Sequence, residues 1–196
     1  RKGTERAEDL IEFITRKLPI DYLTFFAFST ENWSRPQKEV RYLMTLLKNL
    51  LGERGEKLQK NDVRLIVIGN QEEIPSETAK VVSRTVENTK GNEGLSLILA
   101  INYGGRQEIL QAARNLVTDA VEGSLTGDQL TEDLFSSKLF TAGIPDPDLL
   151  IRTSGERRIS NFMLWQMAYT EIWITEKFWP SFEPDDFLDA ISDFQQ

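Results

Sequence analysis

Short apolar runs alternate along the chain with longer segments in which apolar residues recur every three or four positions. A short apolar run is typical of a buried β-strand, whereas the longer spacing is typical of an amphipathic helix. The runs predict five strands, at residues 22–28, 63–68, 95–103, 149–152 and 171–174. The periodic segments predict helices at residues 5–18, 36–60, 76–90 (with Ser76 as its N-cap), 106–121, 130–139 and 162–168, and a last helix that begins at Pro184.

This alternation predicts an α/β fold: a single domain over residues 1–196 with a mostly parallel central sheet flanked by helices. The run at residues 22–28 is almost wholly apolar and aromatic, which indicates a strand buried on both faces. No internal repeat, low-complexity tract or linker divides the chain. Its length is sufficient for one domain with a sizeable core.

Polar loops follow three of the predicted strands, at residues 29–35, 102–106 and 153–160, and each contains arginine. In open parallel sheets, ligands bind in the crevice beyond the carboxyl ends of the strands. We therefore expect the three loops to face one crevice. Their arginines indicate an anionic, phosphorylated ligand, although the pattern alone names no reaction.

The segment 146–166 carries the densest set of anion-binding groups. Its strand ends at Arg152, and a loop of arginines and hydroxyls leads to a predicted helix N-terminus at Asn161. Guanidinium forks, hydroxyls and free helix N–H groups form a good receptor for phosphate or diphosphate. The same spacing is equally compatible with a surface loop of solvated arginines. A buried ion pair of Arg152 with Asp148 or a nearby glutamate is a further alternative.

The chain contains no cysteine and no histidine. Thiol nucleophiles, disulfides, Ser-His-Asp triads and histidine-ligated metals are therefore excluded from it. Its chemistry must use carboxylates, amides, hydroxyls, arginines or a hard, oxygen-bound metal such as Mg²⁺. The net charge of −8 argues against broad nucleic-acid binding. No apolar run reaches the length of a membrane span and no signal-peptide pattern is visible. The absence of cysteine fits a reducing cytosol, so we expect a cytoplasmic protein.

Nucleotide-binding motifs are absent, since the sequence has neither G-x-x-x-x-G-K-[ST] nor G-x-G-x-x-G after a strand. Residues 185–189 (DDFLD) match the DDxxD pattern of the all-helical trans-prenyltransferases. The match follows Pro184 at a predicted helix start, where the helix dipole favours acidic residues. We interpret it as a helix terminus, because the predicted strands exclude an all-helical fold.

Three long motifs in order carry a resemblance to a known family: FFAFSTENWSRPQKEV at 25–40, NYGGRQE at 102–108, and DPDLLIRTSGERRISNFMLWQMAYTE at 146–171. They resemble signature regions of the cis-prenyltransferases, and are most similar to the bacterial undecaprenyl diphosphate synthase type. The similarity runs along essentially the whole chain. It implies the α/β cis-prenyltransferase fold, Mg²⁺ as cofactor and a homodimer.

The resemblance also implies a reaction, in which isopentenyl diphosphate condenses onto an allylic diphosphate such as farnesyl diphosphate. Repeated additions create Z double bonds and yield a long polyprenyl diphosphate. An undecaprenyl-type product would serve as a lipid carrier for peptidoglycan precursors and would be released by peripheral contact with a membrane. The aromatic residues Phe25, Phe26 and Phe28 and the apolar stripe 43–51 are expected to line a product tunnel, with ordinary core packing as the alternative.

Site residues are carried over by motif position. The isopentenyl diphosphate site of the family is matched by Arg152, Arg158, Ile159 and Ser160. The flexible substrate-contacting loop is matched by Ser29, Thr30, Glu31, Trp33 and Arg35. Asn32 matches the residue proposed to help remove the isopentenyl proton, and Glu39 matches a glutamate linked to organising that site. Glu171 matches the family's Mg²⁺ ligand, which the partner subunit can supply in that fold.

One departure from the family is large. The family begins with a region like MDGNGRWA, whose aspartate is central to metal and allylic diphosphate binding, followed by a Gly-His pair. Neither is present, and the first residues from Arg1 are similar to those that follow that histidine. The resemblance implies that the domain lacks its N-terminal segment, with a second metal ligand upstream of Arg1. We expect residues 1–196 alone to be inactive or nearly so.

Two other classes of function stay open. One is a non-catalytic partner subunit of a cis-prenyltransferase complex, and the other is an unrelated phosphate-binding α/β protein.

Three tryptophans carry predictions of their own. Trp33, in a polar loop, indicates an exposed aromatic that contacts substrate or closes as a lid. Trp173 and Trp179 indicate core or subunit-interface positions.

Overall fold

The computed structural model describes residues 2–196; Arg1, where the resemblance to the family begins, lies outside them. The strands are β1 (Tyr22–Ser29), β2 (Arg64–Ile68), β3 (Ser96–Tyr103), β4 (Leu149–Arg152) and β5 (Glu171–Ile174). The α-helices are α1 (Lys2–Lys17), α2 (Gln37–Lys60), α3 (Ser76–Thr89), α4 (Gly105–Val121), α5 (Glu132–Ser136) and α6 (Pro184–Phe194). Short 3-10 helices occupy Thr30–Ser34, Gly127–Gln129 and Trp179–Ser181.

The strands confirm the predicted α/β fold with parallel pairing. β3 lies between β1 and β2, and both pairs are parallel. β4 and β5 form a separate parallel pair. The five strands thus form two sheets within residues 2–196, where one central sheet was expected. β1 and β4 each have a strand on one edge only, and both line the same cavity.

The central strand β3 divides the core into two clusters. Leu97, Leu99 and Ile101 pack with residues of α1 and α2, whereas Ile98 and Ala100 pack on the other face. This alternation follows from the two-residue period of a strand. The second cluster includes Phe162 and Met163. These residues directly follow the loop of arginines and hydroxyls at residues 153–161, which we call the arginine loop. The core therefore holds that loop against one face of β3.

Burial on both faces occurs in β3 but not in β1. In β3 every residue except Ser96 is buried, while in β1 only Phe28 is fully buried. Tyr22 and Ala27 are exposed. The prediction that residues 22–28 are buried on both faces is therefore wrong, because β1 is an edge strand that borders a cavity.

The predicted helix at 162–168 does not form. Ser160, Asn161 and Met163 have φ of 54°, 59° and 42°, so the chain here follows left-handed turns that interrupt helical hydrogen bonding. The apolar spacing comes instead from packing of Phe162 and Met163 into the core. The expected helix N-terminus at Asn161 is consequently also wrong.

Two helix boundaries differ from the predicted ones. The helix expected at 130–139 shortens to Glu132–Ser136, capped by Thr131, whose hydroxyl oxygen accepts from the Leu134 N–H. Ser76 is the first residue of α3, and Pro75 holds the cap position instead. Within residues 2–196, no helix is both long and apolar enough to cross a membrane.

Candidate functional site

An apolar cavity of about 1310 Å³ separates the edge of β1 from the edge of β4. Residues 18–28 and 144–153 line it continuously, and Phe25, Phe26 and Phe28 contribute aromatic surface. Leu43, Met44, Leu47 and Leu50 of α2 line the same space. The side chains predicted to border a tunnel thus face a common cavity, while Leu51 belongs to the core. A cavity with such walls favours a hydrocarbon occupant.

Arg152 also lines this cavity. Its Nη2 donates to Ser160 Oγ at 3.2 Å, and its Nε is buried without a hydrogen-bond partner. None of the ion pairs within residues 2–196 involves Arg152, so the alternative of a buried pair with Asp148 is not realised. A half-buried guanidinium whose Nε donor is unused is a suitable group for an anionic ligand.

Of the other two arginine-loop residues predicted for the isopentenyl diphosphate site, one lines the cavity and one does not. Ile159 also lines the cavity. Arg158 instead extends into solvent, with 70% of its side chain exposed, and pairs with Glu156 at 2.5 Å. The loop itself is held by Ser154, whose N–H donates to the Lys177 carbonyl at 2.8 Å, and by Gly155, whose N–H donates to the Thr175 carbonyl at 2.9 Å.

The loop after β1 is a 3-10 turn. The Ser29 N–H donates to Asn32 Oδ1 at 3.0 Å, which closes a capping box across the turn. Thr30 Oγ1 donates to Glu31 Oε2 at 3.2 Å. Arg35 and Glu39 form an exposed pair at 3.8 Å. Asn32 is therefore fixed by its own turn, whereas Arg35, at the end of that turn, and Glu39, in the first turn of α2, are exposed to solvent.

Trp33 is not the exposed aromatic that the sequence indicated. Its ring packs edge-on against Phe28, with centroids 5.0 Å apart, and it belongs to the rim of the main core. Its Nε1 donates to Asn102 Oδ1 at 2.7 Å. Asn102 is only 2% exposed and donates in turn to the Asn70 carbonyl and to Glu73. Trp33 thus fastens the β1 loop to the end of β3, while Trp173 and Trp179 pack against the core as expected.

Sequence reasoning missed Asn161 as a site residue. Its Nδ2 donates to Glu31 Oε1 at 2.8 Å and to Gln107 Oε1 at 3.1 Å. Burial opposes ionisation of Glu31, but hydrogen bonds from Asn161, its own backbone, Ser29 and Thr30 outweigh it and lower the Glu31 pKa below its usual range. The available signal was the Ser160-Asn161 pair, since asparagine tolerates the positive φ of a turn better than most residues do.

A buried carboxylate, Glu108, was also missed. It is 1% exposed, and it accepts hydrogen bonds from the Tyr103 hydroxyl at 2.5 Å, Gln166 Nε2 at 3.1 Å and the Phe140 N–H at 2.8 Å. Burial, together with the Glu108 charge, raises the Tyr103 pKa far above its usual range. The network joins β3, α4 and the segment after the arginine loop. The signal was the glutamate of NYGGRQE, four residues into a helix.

Glu171 is set apart from Arg152 within this chain. It pairs in register with Leu149 at one end of the β4–β5 ladder, while Arg152 pairs with Ile174 at the other. Among residues 2–196 no three acidic side chains cluster as a metal site. Mg²⁺ is often held by one or two carboxylates together with substrate phosphates, and a single carboxylate such as Glu171 fits that mode.

Comparisons with known proteins agree with this geometry. A sequence profile of the family described as "Putative undecaprenyl diphosphate synthase" matches residues 1–196. The chain belongs to the undecaprenyl diphosphate synthase family. An isoprenyl transferase of Geobacter sulfurreducens is 48% identical over 195 residues, which cover 100% of this chain and 79% of that protein. One from Bacillus cereus is 45% identical over 194 residues, covering 99% and 75% respectively.

Two solved structures have the same fold as this chain. Lavandulyl diphosphate synthase from Lavandula x intermedia, in complex with dimethylallyl diphosphate, superposes with a TM-score of 0.94 at 34% identity, over 99% of this chain and 84% of that one. A probable undecaprenyl diphosphate synthase from Campylobacter jejuni gives 0.87 at 35% identity, over 100% and 89%. The family resemblance and the α/β fold are thereby confirmed, and the family is one of prenyltransferases.

Proposed function

We propose that this protein is a Mg²⁺-dependent cis-prenyltransferase that condenses isopentenyl diphosphate onto an allylic diphosphate such as farnesyl diphosphate. The product is a Z-polyprenyl diphosphate of the undecaprenyl type, a lipid carrier for peptidoglycan precursors. One observation carries the proposal: Arg152, whose buried Nε has no hydrogen-bond partner and which forms no ion pair within residues 2–196, lines a large apolar cavity. A polar anchor beside an apolar space matches a molecule with a diphosphate head and a hydrocarbon tail.

The head and the tail require different parts of this site. Arg152 and Ser160 bind isopentenyl diphosphate oxygens through charge-assisted hydrogen bonds, and Arg158 can swing from Glu156 to join them because it is exposed. Phe25 and Phe26 offer apolar surface to the growing chain. Burying each CH₂ group of that chain contributes roughly 0.8 kcal/mol, so the apolar walls favour the elongated product.

The reaction needs only a weak proton acceptor. The isopentenyl double bond attacks the allylic carbon, the C–O bond from that carbon to its diphosphate breaks and releases inorganic diphosphate, and one proton is lost. Asn32, held by the Ser29 N–H, orients the group that receives this proton, which is a diphosphate oxygen or a water. Ser29, Thr30, Glu31, Trp33 and Arg35 form or support the loop that closes over the substrates, and Glu39 steadies Arg35.

Mg²⁺ is the cofactor that this function requires, and Glu171 is the carboxylate we assign to it. When bound, the metal neutralises diphosphate charge. Four large apolar residues close to Glu171 in the sequence are exposed: Tyr169, Ile172, Ile174 and Phe178. Tyr169 is 98% exposed, and a surface rich in exposed large apolar side chains favours an interface. We therefore assign this surface to a homodimer in which Glu171 serves the partner's site.

The alternative within the family is a non-catalytic partner subunit. The exposed apolar surface around Tyr169 would suit that role as well. The retained Arg152, Ser160 and Asn32 favour catalysis, because a regulatory subunit has no need of them. The family assignment removes the other alternative, an unrelated phosphate-binding α/β protein. We place the enzyme in the cytoplasm, with peripheral membrane contact when product leaves.

Ligand protection tests the assignment. The whole protein, with any residues that precede Arg1 in nature, is heated with isopentenyl diphosphate, with farnesyl diphosphate, or with ATP. A ligand at 100 times its dissociation constant stabilises the fold by about 2.7 kcal/mol, so the two isoprenoid diphosphates should raise Tm clearly. ATP at equal concentration should not. Protection by ATP alone would overturn the proposed function.

A further inference from the structure

One side chain, Asn161, lies where three loops meet. Its Nδ2 donates to Glu31 in the turn after β1 and to Gln107 in the first turn of α4. Its Oδ1 accepts from the Arg106 N–H at 2.9 Å. The three hydrogen bonds of the amide are thus all made to two segments that are distant from it in sequence. Asn161 itself belongs to the third segment, the arginine loop.

The backbone at this point is equally constrained. The Asn161 carbonyl accepts from the Gly105 N–H at 2.7 Å, and its φ of 59° lies in the left-handed region. A Cβ on Gly104 would lie 2.7 Å from Asn161 Nδ2, 2.7 Å from Thr30 Oγ1 and 2.3 Å from Gln107 Oε1. Side-chain ends from all three segments thus surround Gly104, and Thr30 adds a contact from the turn after β1 that the hydrogen bonds do not include.

Both neighbours of this junction belong to the site proposed above. Ser160, which precedes Asn161, accepts the hydrogen bond from Arg152. Glu31, which accepts from Asn161, precedes Asn32. The Asn161–Glu31 bond is thus the shortest described connection between the segment that carries the arginines and the turn that carries Asn32. Residues 31 and 161 are 130 positions apart, so no local structure enforces this alignment.

We propose that Asn161 is a positioning residue that couples the arginine loop to the turn at 29–34, so that both substrate-binding segments are aligned together. The proposal rests on the proposed prenyltransferase function for its catalytic consequence. Asn161 touches no reacting atom. It acts by fixing the distance between the diphosphate anchor at Arg152 and the group at Asn32 that orients the proton acceptor, and such alignment strongly affects rate.

Two substitutions at Asn161 distinguish the effect of its side-chain hydrogen bonds from the effect of its backbone conformation. Asn161→Gly keeps the left-handed conformation at no steric cost but removes all three side-chain hydrogen bonds. Asn161→Asp keeps the acceptor for the Arg106 N–H and tolerates positive φ, yet sets a carboxylate against Glu31. We expect kcat/KM to fall on the order of 10-fold in the glycine variant and further in the aspartate variant, mainly through kcat.

The decisive variant is Asn161→Asp combined with Glu31→Gln. The amide of residue 31 then donates to the carboxylate of residue 161, which restores the bond with its polarity reversed. The double variant should recover kcat to within roughly 3-fold of Glu31→Gln alone, as expected for residues in direct contact. If the losses of kcat in the two single variants simply add in the double variant, that result would contradict the coupling. A purely structural role would lower Tm in each variant without such recovery of kcat.

A second measurement is independent of turnover. Amide hydrogen exchange of residues 29–34 should be slow in the wild-type protein, faster in Asn161→Gly, and slow again in the double variant. Unchanged exchange across these proteins would overturn the coupling. If the wild-type protein binds no isoprenoid diphosphate but shows this exchange pattern, the proposed function fails while the coupling stands.

Discussion

Arg152 and Ser160, eight positions apart in the sequence, are joined by a hydrogen bond of 3.2 Å from guanidinium Nη2 to Oγ. The bond closes the arginine loop on itself, and it leaves the buried Nε of Arg152 without a partner. The loop is therefore organised around a guanidinium whose charge no carboxylate of residues 2–196 neutralises. This is the arrangement expected of a preformed anion site.

Replacing Arg152 by lysine should impair catalysis while leaving the protein folded. Lysine keeps the charge but loses the planar fork, so it cannot hold both Ser160 and a diphosphate. We expect kcat/KM for isopentenyl diphosphate to fall on the order of 100-fold. Ser160→Ala should cost less, about 10-fold, because the guanidinium stays in place.

Arg84→Lys is the matched control for this series. Arg84 is exposed on α3, and the same change there alters no buried group. Steady-state kinetics at varied isopentenyl diphosphate concentration should show wild-type values for it. Wild-type kinetics in Arg152→Lys would remove Arg152 from the site.

The strands and long helices were predictable because their apolar spacing is local. The segment at 162–168 was not, because Phe162 and Met163 have the spacing of a helix but are apolar for another reason: they pack against the far face of β3. Three left-handed residues at 160–163 become acceptable only through that packing and the Gly105–Asn161 hydrogen bond. A helix prediction from spacing alone cannot include such contacts.

The site was predicted unevenly for the same reason. Arg152 and Ser160 were found through a continuous motif, and the structure joins them. Trp33 was misread as exposed because its partner, Asn102, lies 69 positions away. Glu108 was missed since a single glutamate in a helix gives no sign that a tyrosine, a glutamine and a backbone N–H will surround it.

Removing the Glu108 carboxylate should destabilise the fold. Glu108→Ala leaves the Tyr103 hydroxyl, Gln166 Nε2 and the Phe140 N–H facing a buried void, at a cost of about 3 kcal/mol or more. Glu108→Gln retains an acceptor and should cost less. Urea unfolding followed by circular dichroism measures the free energy of unfolding. An exposed control in the middle of α2, Glu53→Ala, should leave the unfolding midpoint unchanged, and equal midpoints for Glu108→Ala would contradict the network.

Trp33→Phe should loosen the turn at 29–34. Phenylalanine preserves apolar contact with Phe28 but leaves the buried Asn102 Oδ1 unpaired, which costs about 1–3 kcal/mol. We expect a lower Tm and faster hydrogen exchange in the turn. Tyr42→Phe, which removes an exposed hydroxyl, is the control. If Trp33 were a mobile lid, Trp33→Phe would leave Tm unchanged.

The pair of Lys177 and Asp186 should make stability depend on pH at both extremes. A hydrogen bond from Lys177, at 2.5 Å, lowers the Asp186 pKa, and the same bond raises the Lys177 pKa. The Asp186 contribution is present above the aspartate pKa of the unfolded chain, about 3.9, and is lost as pH falls through the lower folded value. The Lys177 contribution is present below the lysine pKa of the unfolded chain, about 10.4, and is lost as pH rises through the higher folded value.

Asp186→Asn tests this dependence by thermal unfolding at several pH values. At pH 7 the variant should melt about 3 °C below the wild-type protein, as expected for a modest loss of unfolding free energy in a chain of this length. The gap should close as pH falls below the folded Asp186 pKa, and it should narrow again at strongly alkaline pH. A gap that stays constant across the acid range would show that the ion pair contributes nothing.

Product analysis tests the central claim most directly. The whole protein, with any residues that precede Arg1, is incubated with Mg²⁺, farnesyl diphosphate and labelled isopentenyl diphosphate, and the products are sized. We predict a ladder that ends in one long Z-polyprenyl diphosphate and disappears when Mg²⁺ is chelated. Binding of both substrates without incorporation would contradict catalysis and support the partner-subunit alternative. If the protein neither binds the substrates nor incorporates label, that result would contradict the assignment of Arg152 and the adjoining cavity as the substrate site.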